Sequence, residues 1–216
     1  PPRSTLFPYT TLFRSDIDEV RIWNTVRTSE QIAENLYNYL NGNEEGLMAY
    51  YRFDQGNAGA NNLSMTTEVI DNSGRCATGT LNNFARNGAA SNWVSTDNPE
   101  APILTTDAAT TITKATAILN GSVFTLGDGE LSEIGFCYST SNCPTSANTK
   151  VTVALPTLPQ PINYNLSPLI YGTTYYYRAY VISNKGTSYG EVRSFTTLNP
   201  EINIKQGTVN IANAGS

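Results

Sequence analysis

Asp16 and Asp18 stand two apart and are the chain's nearest approach to a catalytic pair. On a strand they would share one face, about 7 Å from each other. That span suits inverting hydrolysis, in which one carboxylate activates water and the other protonates the leaving group. No histidine occurs among the 216 residues, so no imidazole is available for a Ser-His-Asp or Cys-His nucleophile or for a zinc site. Catalysis would have to rest on carboxylates, Tyr or Lys.

Binding chemistry has more candidates. Asp54, Asp71 and Asn72 offer oxygen ligands of the kind Ca²⁺ gathers. The plainer reading of Asp71-Asn-Ser-Gly74 is an Asx-type turn at a strand end. Alternation assigns Tyr51, Tyr175 and Tyr177 to a core and leaves Tyr176, Tyr180 and Tyr189 as an exposed, ligand-binding set. Exposed rings could stack on the apolar side of a pyranose, or they could serve cross-strand pairing. Trp23 and Trp93 read as core. Of the three cysteines, Cys76, Cys137 and Cys143, at least one has no partner within the chain. Cys137 and Cys143 could close a short loop, although pairs six apart are more often unbridged. No CxxC spacing supports a metal or redox site.

Composition narrows the partners. Charged residues make up 14% of the chain, against a typical ~25%, and the formal net charge is −5. Nucleic acid and anionic membrane both call for clustered Lys or Arg, so neither is an expected partner. No apolar run of about 18 residues is present to span a membrane. The length exceeds one β-sandwich of about 100 residues and suits two.

The elements that must position these side chains fall into two blocks. Residues 16–23 alternate as a strand with Val20 and Ile22 on its buried face. Thr28 and Gln31 have capping-box spacing, and Ile32, Leu36 and Leu40 recur every four residues. A helix is therefore expected, ending at Asn41-Gly42. Residues 47–53 form a strand with Leu47, Ala49, Tyr51 and Phe53 on one face and Met48, Tyr50 and Arg52 on the other. Short strands are expected at 69–70, 80–84 and 92–94.

Ile17-Asp-Glu-Val-Arg-Ile-Trp23, Gly46-Leu-x-Ala-Tyr-Tyr-Arg-Phe-Asp54, Asp71-x-Ser-Gly74 and Gly79-Thr-Leu81 together resemble the C-terminal part of laminin-G-like, concanavalin A-like jelly-roll domains. A jelly roll has about eight strands, and roughly half are expected here. The resemblance implies a truncated domain over 16–98 that exposes apolar faces of Val20, Ile22, Leu36 and Tyr51. Glucanases of that class carry a Glu-x-Asp-x-x-Glu-like row, which Asp16-Ile-Asp-Glu19 lacks, so no catalytic residue is assigned.

Pro99-Glu-Ala-Pro102 reads as a linker. Strand signals follow at 102–106, 113–124, 132–139, 149–155, 161–166, 175–183 and 187–197, the spacing of a seven-stranded sandwich. Ala115, Ala117 and Leu119, with Tyr175, Tyr177, Ala179 and Val181, are the inward sets. Leu169-x-x-Gly-Thr-x-Tyr175 resembles the tyrosine corner of fibronectin type III domains. Gly135-Phe-Cys-Tyr-Ser139 and Phe195-Thr-Thr197 extend that likeness over 99–198. Residues 199–216 resemble the start of a further immunoglobulin-like module, too short to bury a core. Thr5 to Ser15 resemble a translated sequencing adapter, so 1–15 are set aside and the native N-terminus is expected upstream.

The expected fold is thus all-β: a partial jelly roll with one short helix, then a fibronectin type III-like sandwich. The implied function is non-catalytic adhesion, or binding of an extracellular glycan or protein, in a secreted or cell-surface protein, with Ca²⁺ the one cofactor considered. The rival readings are an accessory region of a secreted hydrolase and a structural stalk.

Overall fold

The computed structural model describes residues 16–65, 67–88, 92–94, 102–154 and 160–200. The readings for 1–15 and 201–216, and for most of the 99–102 linker, lie outside the described residues.

In the first block, β1 (Val20–Trp23) pairs antiparallel with β2 (Leu47–Tyr51). Between them runs α1 (Ser29–Asn35). Its capping box forms as the spacing predicts: Gln31 N donates to Thr28 Oγ1 at 3.2 Å, and Thr28 N donates to Gln31 Oε1 at 3.1 Å. The helix stops earlier than Asn41-Gly42. The Asn35 and Asn38 amides donate back to the carbonyls of Gln31 and Glu34, and the Arg21 guanidinium takes the carbonyls of Asn35 and Asn38 at 2.6 Å each. Those donors satisfy carbonyls at and just past the helix end, and Leu40 lies beyond the helix in a buried position. Ile32 and Leu36 stay 57% and 56% exposed. Ile22, expected on the buried face of β1, is 48% exposed, whereas Val20 and Tyr51 are half-buried. β3 (Glu68–Val69) and β4 (Gly79–Thr80) form a short ribbon. Residues 92–94 form no strand; Trp93 instead packs edge-on against Phe84 at a centroid distance of 5.0 Å.

The second block is a two-sheet antiparallel sandwich. β5 (Ile103–Thr110), β6 (Ala117–Thr125) and β9 (Gln160–Leu166) make one sheet in that order. The other runs β8 (Thr149–Thr152), β7 (Leu131–Ser139), β10 (Thr174–Ser183), with β11 (Gly186–Tyr189) and β12 (Arg193–Thr196) both on the far edge of β10. The single strand expected over 187–197 is therefore split. Between its halves the Glu191 carboxylate accepts from Thr106 N at 3.0 Å, and Arg193 Nε donates to Thr106 O at 3.2 Å. Glu191 thus turns towards β5 on the opposite sheet, while Arg193 is already back in register with Tyr177 on β10 and reaches Thr106 through its side chain alone.

The core lies between the sheets, where Leu119, Val123, Phe136, Tyr177, Ala179 and Val181 are all but inaccessible. Burying such side chains contributes roughly 1.5–3 kcal/mol each. The inward sets hold except for Ala115, which sits exposed in a turn closed by Thr113 N donating to Thr116 O at 2.9 Å. The tyrosine corner forms: Ile170 N donates to Tyr175 Oη at 3.1 Å, and the Tyr175 ring stacks on Phe195 at 5.7 Å.

Tyr175→Phe keeps the ring and removes the corner hydrogen bond, and is expected to cost about 1 kcal/mol in urea unfolding. Tyr175→Ala, which also opens a cavity, is expected to cost about 3–5 kcal/mol. Equal costs for the two would show that the hydroxyl bond contributes nothing.

Candidate functional site at the seam between the two blocks

By alternation the outer face of β7, β10 and β11 should meet solvent. It does not. Cys137, Tyr180 and Tyr189 on that face are buried, and Ile70 of the first block closes on them. This corrects the exposed set: Tyr180 is 0% and Tyr189 7% accessible, and only Tyr176 is partly open. The alternation places these rings correctly on the outer face, but the first block covers it. Tyr180 Oη donates to Glu133 Oε1, and the Lys150 ammonium lies 5.7 Å from its ring. Burial, then the Glu133 bond, pushes the Tyr180 hydroxyl well above its ordinary range. Tyr189 Oη accepts from Ser146 N at 3.0 Å, while Arg178 sits 3.7 Å over its ring. Tyr180 and Tyr189 are walls of the seam rather than free stacking platforms.

Two arginines are buried in the seam, one from each block. Arg52, just past β2, is 2% exposed. Its Nη1 reaches across to donate to Ser188 Oγ at 3.1 Å and Thr187 O at 3.4 Å. Its guanidinium lies 4.0 Å over the Tyr39 ring, and its Nε faces Asp54 at 3.2 Å and Glu19 at 3.9 Å. Burial opposes the Arg52 charge, but Asp54, Tyr50 and Glu19 outweigh it and hold the charged form. Burial in turn raises the carboxyl pKa of Glu19, against the pull of Tyr50 and Arg21, and that of Asp54, against the pull of Arg52. Arg178 donates from Nε to Pro144 O at 2.6 Å, and burial lowers its pKa. Beside it, burial pushes the Cys137 thiol up to about 11, so the thiol stays protonated at neutral pH.

The oxygen ligands considered for Ca²⁺ are not gathered. Asp54 faces Arg52. Asp71 Oδ1 accepts from Tyr50 N and Ser73 N, and Oδ2 accepts from Ser73 Oγ and Ala77 N, all at 2.8–2.9 Å. Four donors thus occupy both oxygens in the Asx-type turn that Asp71-Asn-Ser-Gly74 announces. Asn72 N donates to Tyr50 O at 2.8 Å and Nδ2 to Ile70 O at 3.4 Å. Among the described residues no three His, Cys, Asp or Glu side chains cluster as metal ligands. Asp16 and Asp18 precede β1, which starts at Val20, so they are not a carboxylate pair on one strand.

The disulfide joins Cys76 to Cys143 across the seam, over a sequence separation of 67, with Cα atoms 5.7 Å apart. Cys143 is therefore not paired with Cys137, whose Sγ lies buried against the carbonyls of Pro144 and Arg178. The backbones also meet directly: a Cβ on Gly186 (φ 107°) would lie 2.8 Å from the Leu40 carbonyl oxygen. Spacing alone gave no signal for this bridge or for the crossing of Arg52. Charge pairing and ring contacts hold the seam's buried arginines, while Arg52 Nη2 and Arg178 Nη2 are buried without a hydrogen-bond partner.

No family model and no curated protein matches the chain. Among solved structures it is similar to the sensor domain of the anti-sigma factor RsgI4 from Pseudobacteroides cellulosolvens, at 18% identity over 49% of this chain and 97% of that one, with a TM-score of 0.38. It is also similar to the sixth fibronectin type III domain of human fibronectin type III domain containing protein 3, at 18% identity over 55% of this chain and 100% of that one, TM-score 0.32. The fourth fibronectin type III domain of a human protein is similar at 15% identity over 55% of this chain and 95% of that one, TM-score 0.35. Such similarity concerns fold alone, and the strand order above is what assigns a fibronectin type III-like sandwich.

Replacing both bridged cysteines, Cys76→Ser with Cys143→Ser, is expected to cost about 2–4 kcal/mol in urea unfolding. Non-reducing peptide mapping should recover a Cys76–Cys143 peptide; a Cys137–Cys143 peptide would overturn the pairing. The Glu19 carboxyl is raised on folding, so its contribution is present below the unfolded pKa and lost as pH rises through the folded value. The melting temperature of the wild type is therefore expected to gain on that of Glu19→Gln as pH falls below neutral. A flat or opposite trend would mean that pairing, not burial, dominates at Glu19.

Proposed function

We propose that this chain is a non-catalytic part of a secreted or cell-surface multidomain protein, in which a rigid two-block unit serves adhesion or binds an extracellular glycan or protein. The observation that carries the reading is the Cys76–Cys143 bridge between the blocks. Structural disulfides persist in oxidising compartments and are rare in the cytosol. The bridge and the buried arginines hold the first block against the sandwich, and loops held on a rigid scaffold are where binding residues concentrate. The first block reads as the C-terminal part of a laminin-G-like jelly roll, and exposed Ile22, Ile32 and Leu36 support that reading, because further strands would cover them. The sandwich acts as the spacer. No helix among the described residues is long and apolar enough to cross a membrane.

The test is retention of the oxidised chain on immobilised glycans and extracellular-matrix proteins, beside a polysaccharide hydrolysis assay and labelling of intact source cells with a membrane-impermeant reagent. Saturable retention, surface labelling and no hydrolysis are expected. Hydrolysis by the chain itself would overturn the non-catalytic reading. Labelling only after lysis would overturn the extracellular one, and surface labelling without retention would leave a stalk.

A further inference from the structure

A half-open cleft of about 470 Å³ lies in the seam. That volume falls within the ~300–1,000 Å³ of small-ligand sites. One wall comes from the first block, through the turns at 41–44 and 72–75; the other comes from the sandwich, through residues 145–147 and Tyr189. Neither block alone forms it. Cys76 follows the last residue of one wall and Cys143 lies two before the first residue of the other, so the disulfide ties the walls together.

The lining selects a ligand chemistry. It holds one cation, Arg75, and one anion, Glu44. Phosphate, sulfate or an acidic peptide would call for a surplus of cations, which is absent. The Glu44 carboxylate already accepts from Asn41 N at 2.7 Å and Gly42 N at 2.9 Å. Arg75 donates only its Nε to a carbonyl, Leu47 O at 2.6 Å, which leaves its terminal nitrogens as donors. The Asn41 and Asn43 side chains add two amides, each both donor and acceptor. The sheet edge in the sandwich wall is β11, through Thr187 and Tyr189, and there the Arg52 guanidinium already takes the Thr187 carbonyl at 3.4 Å and obstructs the ladder that an extended peptide would join. Apolar lining is confined to Leu47, Ala147 and the edge of Tyr189, too little for a lipid chain.

We propose that this cleft binds a short neutral saccharide, whose hydroxyls exchange hydrogen bonds with Asn41, Asn43 and Arg75. The proposal rests on the binding reading above and gives that reading a site and a ligand class. Tyr189 acts there through its position and not as a stacking face, because Arg178 covers its ring and Ser146 holds its hydroxyl.

The test is an amide-resolved NMR titration of the full oxidised chain with cellobiose, maltose, lactose and a heparin-derived sulfated disaccharide. A neutral disaccharide is expected to shift amides at 41–44, 72–75 and 145–147 together. Asn41→Ala with Asn43→Ala should weaken binding roughly tenfold while leaving the remaining spectrum unchanged. Preference for the sulfated probe at the cleft overturns the neutral class. Shifts confined to another surface, or none while immobilised glycans still retain the chain, overturn the site and leave the broader binding reading standing. Loss of both signals overturns the two together.

Discussion

A guanidinium buried between two β blocks has to find its partners there, because an unpaired charge in such a place costs several kcal/mol. Arg52 sets this constraint on the rest of the molecule. It leaves β2 with its stem in one block and donates to Thr187 and Ser188 in the other. Asp54, Glu19 and the Tyr39 ring surround it from its own block. Remove the sandwich and Arg52 loses two acceptors; remove the first block and the β10–β11 face loses its cover. The two blocks are thermodynamically tied by one side chain before the disulfide is counted.

That tie explains why the tyrosines behave as they do. In an open sandwich, the outer faces of β7 and β10 carry aromatic side chains into water. Here Ile70 and the Asx turn of Asp71 lie over them, and Tyr180, Tyr189 and Cys137 become interior. Their polar atoms then need partners, and Glu133 and Ser146 supply acceptors or donors for the two hydroxyls. Arg178 would otherwise be stranded, and it is held by the Pro144 carbonyl and the Tyr189 ring. The seam is polar inside and closed by covalent chemistry at its edge, a construction that resists sliding better than apolar contact alone, since each hydrogen bond fixes a direction.

The same arrangement bears on function. Tandem modules joined by a flexible linker sample many orientations, and a site shared between them would rarely be assembled. A seam fixed by Arg52, by the Gly186–Leu40 backbone approach and by Cys76–Cys143 keeps both walls of the cleft in place. Pre-organisation of that kind lowers the ordering cost of binding a small ligand.

Local pattern determined a good part of this protein without reference to its fold. The Thr28–Gln31 box, the Asx turn at Asp71, the strand alternation of residues 175–181 and the corner at Tyr175 all depend on residues within a few positions of one another, and all formed. Their physics is short-ranged: a side chain reaching a nearby amide, or a period-two exposure pattern. Tertiary structure alone decided the rest. Arg21, 14 residues upstream, caps the helix at Asn35, and Thr106 splits the last strand by binding Glu191, 85 residues away. Alternation can say that Tyr180 and Tyr189 lie on the outer face, but not that another block covers that face. Nor can spacing choose Cys76 over Cys137 for Cys143, because a disulfide forms between residues that the folded backbone brings within reach, and that reach is set by the seam.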